Sequence, residues 1–239
     1  PLDHTKIKNL EYDNPKLLDA AFDPKNTYSV PYFWGTLGIV YNDKYITHPP
    51  TKWEDLWSKD YKNSILLTDS SRDVMGMGLI ATGSSVNTTN QSEIDRAYDK
   101  LLQLTPNVKA ILGDEIMSYM INNETPLSVV YSGQASEMTS SNEHLHYVVP
   151  ARTNIWYDNL AIPKTSKNTK AGYAFINFIQ EPENAAANAE YVGYSTPNVK
   201  AEALLPAEVR EDKSYYPDEA LIKEDEAYVN LSPYWTGVY

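Results

Sequence analysis

The 239-residue sequence contains no cysteine, which excludes disulfide bonds, thiolate metal sites and cysteine nucleophiles. It also contains no apolar run that approaches the roughly 18 residues of a membrane-spanning helix. Basic residues are scarce, with 20 Lys and Arg against 32 Asp and Glu and a net charge of −12. A field of this sign disfavours nucleic acid and anionic lipid as partners, and it favours cationic ligands.

Phenylalanine is also rare, at 4 copies, whereas tyrosine occurs 19 times. A tyrosine ring with its polar tip suits half-hydrated clefts and binding surfaces. Composition alone is compatible with a ligand-binding cleft or with a tyrosine-rich surface that binds another protein.

Strand-like and helix-like segments alternate along the chain, which predicts an α/β fold with a parallel sheet covered on both faces. Apolar, β-branched and aromatic runs predict strands at residues 28–42, 64–68, 108–112, 127–131 and 146–150. Periodicity and capping residues predict helices at 51–57, 72–81, 92–104, 115–122, 132–140, 169–180 and 182–191. We expect three of these helices to be capped by Thr51 (paired with Glu54), Asp69 and Ser92.

Ligands of open α/β sheets bind at the carboxyl ends of the strands, where helix N-termini gather. Ser70 and Asp73 follow the predicted strand at 64–68, while Tyr131 and Gln134 lie at the end of the strand at 127–131. These four side chains are therefore predicted on the ligand side of the sheet. For Asp73, a favourable interaction with the N-terminus of its helix is an equally good interpretation.

The segment at residues 154–163 combines an aromatic ring with a carboxylate. Trp156 and Asp158 are two residues apart, so on an extended segment both point to the same side. A π face beside a carboxylate binds an organic ammonium group through cation–π attraction and a charge-assisted hydrogen bond. A buried tryptophan with a solvated aspartate beside it explains the same two residues, and both interpretations stay open at this point.

Four segments, in this order along the chain, resemble the bacterial spermidine/putrescine-binding proteins, which are extracytoplasmic receptors of polyamine ABC importers. The segments are Tyr-Ser-Val-Pro-Tyr-Phe-Trp-Gly (28–35), Leu-Leu-Thr-Asp-Ser-Ser-Arg-Asp (66–73), Asn-Ile-Trp-Tyr-Asp-Asn-Leu-Ala-Ile-Pro (154–163) and Val-Gly-Tyr-Ser-Thr-Pro-Asn (192–198). The resemblance covers essentially the whole chain.

The resemblance implies a type II periplasmic-binding-protein fold, in which two α/β lobes are joined by crossing strands and close on the ligand. Residues 1–37 and 151–239 would form the first lobe with the crossings, and residues 38–150 the second lobe. By the same comparison the chain lacks the start of the family sequence. We therefore expect an incomplete first lobe and an incomplete ligand site.

Position by position, the resemblance places the family's acidic amine ligands at Asp73 and Asp158. Aromatic walls of the family's site fall at Tyr131, Trp156 and Tyr194. The predicted ligand site therefore comprises Ser70, Asp73, Tyr131, Gln134, Trp156, Asp158 and Tyr194.

This sequence departs from the family pattern at several of these positions. Ser70 occupies the first acidic position of the Thr-Asp-x-x-Arg-acid segment, Asp73 is shorter than the glutamate common there, and Tyr131 stands where tryptophan is familiar. A glutamine-type contact near the chain end falls at Tyr228, which we leave outside the predicted site. These changes leave the preference between spermidine and putrescine open.

From the resemblance we expect polyamine capture without catalysis, metal or cofactor, and delivery to an ABC permease in the membrane. The location would be extracytoplasmic, in a periplasm or lipid-anchored on a Gram-positive cell. Alternatives are another cationic or small solute, or a hydrolase with Asp73 and Asp158 as its carboxylate pair. No phosphate-binding loop or nucleophile elbow favours an enzyme. His144 and His146 have the spacing of metal ligands but no third ligand in sequence, so we predict surface histidines.

Overall fold

The computed structural model describes residues 1–217 and 224–239. The chain forms two compact units. The first unit comprises Pro1–Gly35 and Trp156–Tyr216, and the second comprises Thr36–Ile155 and Pro217–Tyr239.

Strands in the second unit follow the order β3-β2-β4-β1-β5, and β6 pairs with β1 outside this order. The strands are β1 (Ser29–Asn42), β2 (Ile65–Thr68), β3 (Val108–Leu112), β4 (Leu127–Tyr131), β5 (Leu145–Val148) and β6 (Ile155–Ala161). All five strands predicted from the sequence are confirmed, to within a few residues at each end.

Helices follow most of the strands. They are α1 (Ser71–Ala81), α2 (Gln91–Leu104), α3 (Glu115–Ile121), α4 (Ser132–Ser141), α5 (Thr169–Ile179), α6 (Pro182–Val192), α7 (Val199–Glu202), α8 (Ala207–Arg210) and α9 (Pro233–Val238). Within residues 1–217 and 224–239, no helix is long and apolar enough to cross a membrane.

The sheet is mixed, so the prediction of a parallel sheet is only partly right. Strand β2 is parallel to both β3 and β4, whereas β1 is antiparallel to β4 and β5. Helical crossovers connect β2 to β3, β3 to β4 and β4 to β5, and a crossover of this kind gives both strands the same direction. No α-helix connects β1 to the next strand, so the pattern of alternation does not constrain its direction.

Side-chain alternation along the strands covers both faces of the sheet, as the sequence predicts. Leu37 and Ile39 pack on one face with Trp53, while Val40 packs on the other with Ile116. Successive side chains of a strand point to opposite faces, so the apolar residues of one strand contribute to the hydrophobic cores on both sides of the sheet.

Helix caps differ from the predicted ones by one or two residues. Ser70, not Asp69, caps α1 by accepting from the backbone N–H of Asp73. For α2 the cap is Asn90, two residues before Ser92, because the helix begins at residue 91 and its cap must directly precede it.

The predicted helix at 51–57 is a 3-10 helix over Trp53–Trp57. Its first turn is bonded by Asp55, whose Oδ2 accepts from the backbone N–H of Thr51 at 2.8 Å. The predicted pairing of Thr51 with Glu54 is therefore wrong. A 3-10 turn is tighter than an α-helical turn, which changes the residue that reaches back to the N-terminus.

The first unit packs around small residues. Phe33 contacts a cluster formed by α6 and the following segment, which includes Ala189 and Ala201. The last turn of α6 ends at Gly193, whose φ of 78° lies in the left-handed region that favours glycine.

The C-terminal segment 224–239 belongs to the second unit. The sequence-based division instead assigns residues 151–239 to the first lobe, and residues 218–223 of that range lie outside the described part. Contacts of Tyr228 and Tyr239 with Arg72 of α1 account for the difference. These contacts join residues more than 150 positions apart, so no local sequence pattern predicts them.

Candidate functional site

The second unit brings Asp73 and Tyr131 into contact at one edge of the sheet. Asp73 lies in the first turn of α1, which directly follows β2, and Tyr131 is the last residue of the neighbouring parallel strand β4. The Tyr131 hydroxyl donates a hydrogen bond to Asp73 Oδ2 at 2.5 Å. Because parallel strands end at the same edge, the helix start and the strand end meet there.

Tyr228 supplies a second hydroxyl to the same carboxylate. Its hydroxyl lies 2.9 Å from Asp73 Oδ1, so each carboxylate oxygen has its own phenol donor. The sequence-based site did not include Tyr228. The single sequence signal for this residue was the family's contact near the chain end.

Asp73 is 5% exposed, yet it has no cationic partner within the described residues. The adjacent Arg72 directs its guanidinium away, to the carbonyl of Val86 at 3.3 Å and to Asn87 Oδ1 at 2.9 Å. A buried carboxylate is costly unless it is hydrogen-bonded or paired with a cation. The two phenols provide hydrogen bonds to Asp73, and no described residue provides a cation.

Both phenols remain neutral donors. Burial raises the pKa of Tyr131, and the Asp73 charge beside it raises that pKa further. The same two causes, in the same order, raise the pKa of Tyr228. Each hydroxyl therefore keeps its proton at physiological pH and stays a hydrogen-bond donor to Asp73.

Ser70 and Gln134 hold the backbone around these residues. Ser70 caps α1, and its hydroxyl is also within hydrogen-bonding reach of the Tyr131 hydroxyl. Gln134 accepts from the backbone N–H of Tyr131 at 3.2 Å and donates to Asp114 Oδ1 at 3.0 Å. Both predicted site residues therefore have positions that order Asp73 and Tyr131.

In the first unit, Trp156 and Tyr194 form an aromatic pair. Their ring centroids are 5.0 Å apart at an interplanar angle of 73°, and Tyr194 packs edge-on against Phe33 at 5.8 Å. Trp156 is half-buried against the core of this unit. The ring is thus anchored to a core and also partly accessible, so each of the two sequence interpretations describes part of its environment.

Asp158 lies two residues after Trp156 on β6 and is exposed. The intervening Tyr157 packs against Phe22 with ring centroids 5.6 Å apart. Alternation along the strand directs Trp156 and Asp158 to one side. Partial desolvation by the surrounding protein raises the pKa of the Asp158 carboxyl. An ammonium group would offset that desolvation.

The two histidines do have an acidic neighbour. His144 Nδ1 lies 2.8 Å from one carboxylate oxygen of Asp43, and His146 Nε2 lies 2.9 Å from the other. The two histidines are at the start of β5, and Asp43 directly follows β1. Hydrogen bonds from His146 and then His144 hold the pKa of Asp43 below its usual range. Among the residues described, no group of three or more His, Cys, Asp or Glu is arranged to hold a metal ion.

Each unit contains a carboxylate together with aromatic residues. In the second unit, a buried carboxylate is fixed by two phenols. In the first unit, an exposed carboxylate stands beside an aromatic pair. Carboxylates and aromatic faces are the two protein groups that attract organic ammonium ions.

Comparison with protein families is consistent with this chemistry. The sequence model of the bacterial extracellular solute-binding proteins matches residues 1–217. The spermidine/putrescine-binding periplasmic protein of Salmonella typhimurium is 41% identical over 227 residues, which are 94% of this chain and 65% of that protein. A norspermidine sensor of Vibrio cholerae is 30% identical, over 93% of this chain and 63% of the sensor. The chain therefore spans less than two thirds of these relatives.

Solved structures include a similar protein from Streptococcus pneumoniae, a spermidine/putrescine ABC transporter substrate-binding protein in complex with calcium and HEPES. It superposes with a TM-score of 0.93 and is 51% identical. The match covers 99% of this chain and 74% of that one. The α/β fold of periplasmic binding proteins predicted from the sequence is thereby confirmed.

Proposed function

Because the chain belongs to the bacterial extracellular solute-binding proteins, we propose that it captures a polyamine for an ABC importer. The ligand we propose is spermidine, putrescine or both. Support comes from relatives that carry these amines in their names, including a curated protein that is 41% identical and a solved structure that is 51% identical. Since the chain covers only part of each relative, the proposal concerns the full-length protein.

A single observation carries the proposal: Asp73 is a buried carboxylate with two hydroxyl donors and no basic partner among the described residues. Neutral donors reduce the cost of burying a charge but do not cancel it. A ligand ammonium group would supply the missing positive charge and a charge-assisted hydrogen bond. A neutral or anionic solute would do neither.

We assign each of two carboxylates to the binding of an ammonium group, Asp73 within the second unit and Asp158 within the first. Tyr131 is hydrogen-bonded to Asp73, and Trp156 lies two residues before Asp158 on the same side of β6. Aromatic faces attract the methylene groups next to a cation as well as the cation itself, at about 2 kcal/mol for a desolvated contact. The two compact units would correspond to the family's two lobes, with the first incomplete in this chain.

Binding without turnover is the proposed activity. The named relatives are binding proteins and a sensor, and both carboxylate oxygens of Asp73 accept hydrogen bonds from tyrosine hydroxyls. We therefore favour a receptor over a carboxylate-pair hydrolase. Its partner would be a membrane permease, and its location extracytoplasmic. The net charge of −12 disfavours nucleic acid.

The test is a calorimetric titration of the full-length protein with putrescine and spermidine, with 1,4-butanediol as the uncharged match for putrescine. We expect saturable heat with at least one amine, none with the diol, and no new product by mass spectrometry. Absence of heat with both amines contradicts the proposed function. Appearance of a product supports the hydrolase instead.

A further inference from the structure

The C-terminal segment 224–239 places Tyr228 directly on α1. The hydroxyl of Tyr228 lies 2.9 Å from Asp73 Oδ1 and 3.2 Å from the carbonyl oxygen of Arg72. One turn further along α1, a Cβ on Gly76 would stand 2.7 Å from the same hydroxyl. The phenol can reach Asp73 because residue 76 carries no side chain.

The ring of Tyr228 is held by Arg72. The guanidinium carbon of Arg72 lies 4.6 Å from the centre of the Tyr228 ring and 4.5 Å from the centre of the Tyr239 ring. A planar guanidinium can stack on two aromatic faces at once, which the compact ammonium of lysine cannot do. Arg72 therefore orients Tyr228 without touching Asp73 through its own charged end.

Asn87 fixes the backbone on both sides of Tyr228. Its side-chain amide donates to the carbonyl of Ala227 at 2.8 Å, and its oxygen accepts from the N–H of Val229 at 3.0 Å. The same oxygen accepts from the Arg72 guanidinium at 2.9 Å. Asn87, Arg72 and the backbone on both sides of Tyr228 thus form one hydrogen-bonded network, which sets the position of the Tyr228 hydroxyl.

We propose that Arg72 is a positioning residue that acts through Tyr228 and makes the Asp73 subsite selective for a primary ammonium group. The inference rests on the proposed function. It adds which chemical group of the ligand the Asp73 subsite prefers, a primary ammonium group, and which residue is responsible for that preference, Arg72.

Hydrogen-bond capacity gives the reason. An ionised carboxylate has about four acceptor positions, and the hydroxyls of Tyr131 and Tyr228 use two of them. A primary ammonium group brings three N–H donors, enough for the two remaining positions, whereas a protonated N,N-dimethylamino group brings one. In a buried site water does not supply the missing bonds, so the methylated amine leaves Asp73 less well satisfied.

When Arg72 no longer orients the ring, Tyr228 moves and water reaches Asp73. Water then provides the bonds that the methylated amine lacks, and the difference between the two amines shrinks. The ratio of the two affinities therefore reports on the position of Tyr228. A general loss of stability would weaken both amines alike.

The experiment measures the affinities of the full-length protein for 1,4-diaminobutane and for its N,N,N′,N′-tetramethyl derivative by calorimetry. We expect the unmethylated amine to bind at least about thirtyfold more tightly to the unmodified protein. Arg72→Lys should lower this ratio at least about fivefold, as should Tyr228→Ala. In the double variant the ratio should fall no further than in Tyr228→Ala, because Arg72 acts through the ring.

Lys100→Met is the matched control, since Lys100 lies over the Trp57 ring at 4.9 Å elsewhere in the second unit. It should leave the ratio unchanged. Tyr239→Leu removes the other ring from Arg72 and serves as a milder variant if Arg72→Lys does not fold, with a ratio about threefold lower than the unmodified protein.

A ratio that Arg72→Lys or Tyr239→Leu leaves unchanged overturns the positioning role while the proposed function stands. Additive effects of Arg72→Lys and Tyr228→Ala overturn it as well. If the unmodified protein binds neither amine, the proposed function fails and the inference falls with it.

Discussion

The carboxylates assigned to amine binding have contrasting surroundings in the two units. Asp73 of the second unit is 5% exposed and is held by two tyrosine hydroxyls. Asp158 of the first unit is exposed on a strand, beside the half-buried ring of Trp156. The second unit thus offers a preorganised charge and the first unit an accessible one.

This contrast determines what each carboxylate contributes. A fixed, desolvated carboxylate loses little conformational entropy when it binds a cation. Removing one partner of such a buried charge pair causes a large loss of affinity. An exposed group is screened by water, so its ion pair is weaker. We therefore expect unequal losses of affinity when the two are neutralised.

The largest effect is expected for Asp73→Asn. Putrescine should bind the full-length variant at least about thirtyfold more weakly, because loss of a desolvated charge pair costs about 2–5 kcal/mol. Isothermal titration measures the change, and Asp69→Asn, an exposed neighbour on the same strand end, is the control. Similar affinities for the two variants would remove Asp73 from the site.

Asp158→Ala should cost at least about tenfold in affinity, since its charge-assisted hydrogen bond is partly screened by solvent. Glu190→Ala neutralises another exposed carboxylate of the first unit and should bind like the unmodified protein. An Asp158→Ala affinity equal to that control contradicts the assignment of this residue.

The exposed carboxylate also predicts a pH dependence. Desolvation raises the pKa of Asp158, so its charge is lost at a higher pH than that of an ordinary aspartate as the solution is acidified. Amine affinity should therefore decline on acidification from neutral pH, and the decline should be shallower in Asp158→Ala. Parallel pH profiles for the two proteins would argue against a role of this titration in binding.

Stability of the first unit should depend on Asp13, which is 2% exposed. Burial raises the pKa of Asp13 from 3.8 to about 7, and a hydrogen bond from Gln180 at 3.1 Å only partly opposes this. Because the pKa of Asp13 is higher in the folded state, folding is accompanied by uptake of a proton on Asp13 at pH values between about 4 and about 7. Stability is therefore lost as the pH rises from about 4 to about 7.

Asp13→Asn should remove this dependence and raise the free energy of unfolding at pH 8 by about 1 kcal/mol, because no charge is then buried. Thermal melts at pH 5 and pH 8 measure it, with Glu11→Gln as the exposed control. A variant that keeps the pH dependence of the unmodified protein would show that another group causes it.

Tyr131→Phe removes one donor from Asp73 and should weaken putrescine binding about fivefold, which corresponds to about 1 kcal/mol for one hydrogen bond. Tyr98→Phe removes a hydroxyl from a ring that is 55% exposed in the same unit and should have no effect. Equal binding by both variants would show that Tyr228 alone suffices to satisfy the carboxylate.

The smallest effect concerns an apolar face of α5 in the first unit. Phe175 and Phe178 are 56% and 55% exposed, whereas Ile176 between them is 3% exposed. In the 239-residue chain, replacing both phenylalanines with serine should change the free energy of unfolding by less than about 0.5 kcal/mol. Ile176→Ser should cost about 3 kcal/mol. Urea denaturation compares them, and a large loss in the double variant would show that the face is packed.

Much of the fold could be predicted from the sequence, because strands and helices have local patterns. The periodicity of residues 92–104 and the β-branched run at 127–131 correspond to α2 and β4. Helix starts were less predictable, because Asn90 and Ser92 are both good caps and a shift of two residues changes the one that serves. The direction of β1 depends on strand pairing across about 90 residues, for which no local pattern exists.

The candidate site divides in the same way. Asp73 and Tyr131 could be placed together from sequence, since each lies at the end of a strand in a segment of parallel sheet. The roles of Ser70 and Gln134 were harder to predict, because the same side chains suit ligand contact and helix capping. In the structure both are engaged with the backbone.

The sequence by itself determined the α/β class, the elements that carry the site and the position of Asp73 at a strand end, because these follow from local patterning and from net composition. The tertiary structure alone decided that Asp73 has two phenol donors. Tyr228 is 155 residues away from Asp73 in the chain and hydrogen-bonds to it directly. Its ring contacts Arg72, and its hydroxyl has room on α1 because Gly76 has no side chain. Contacts of this range arise from packing, which a linear pattern does not encode.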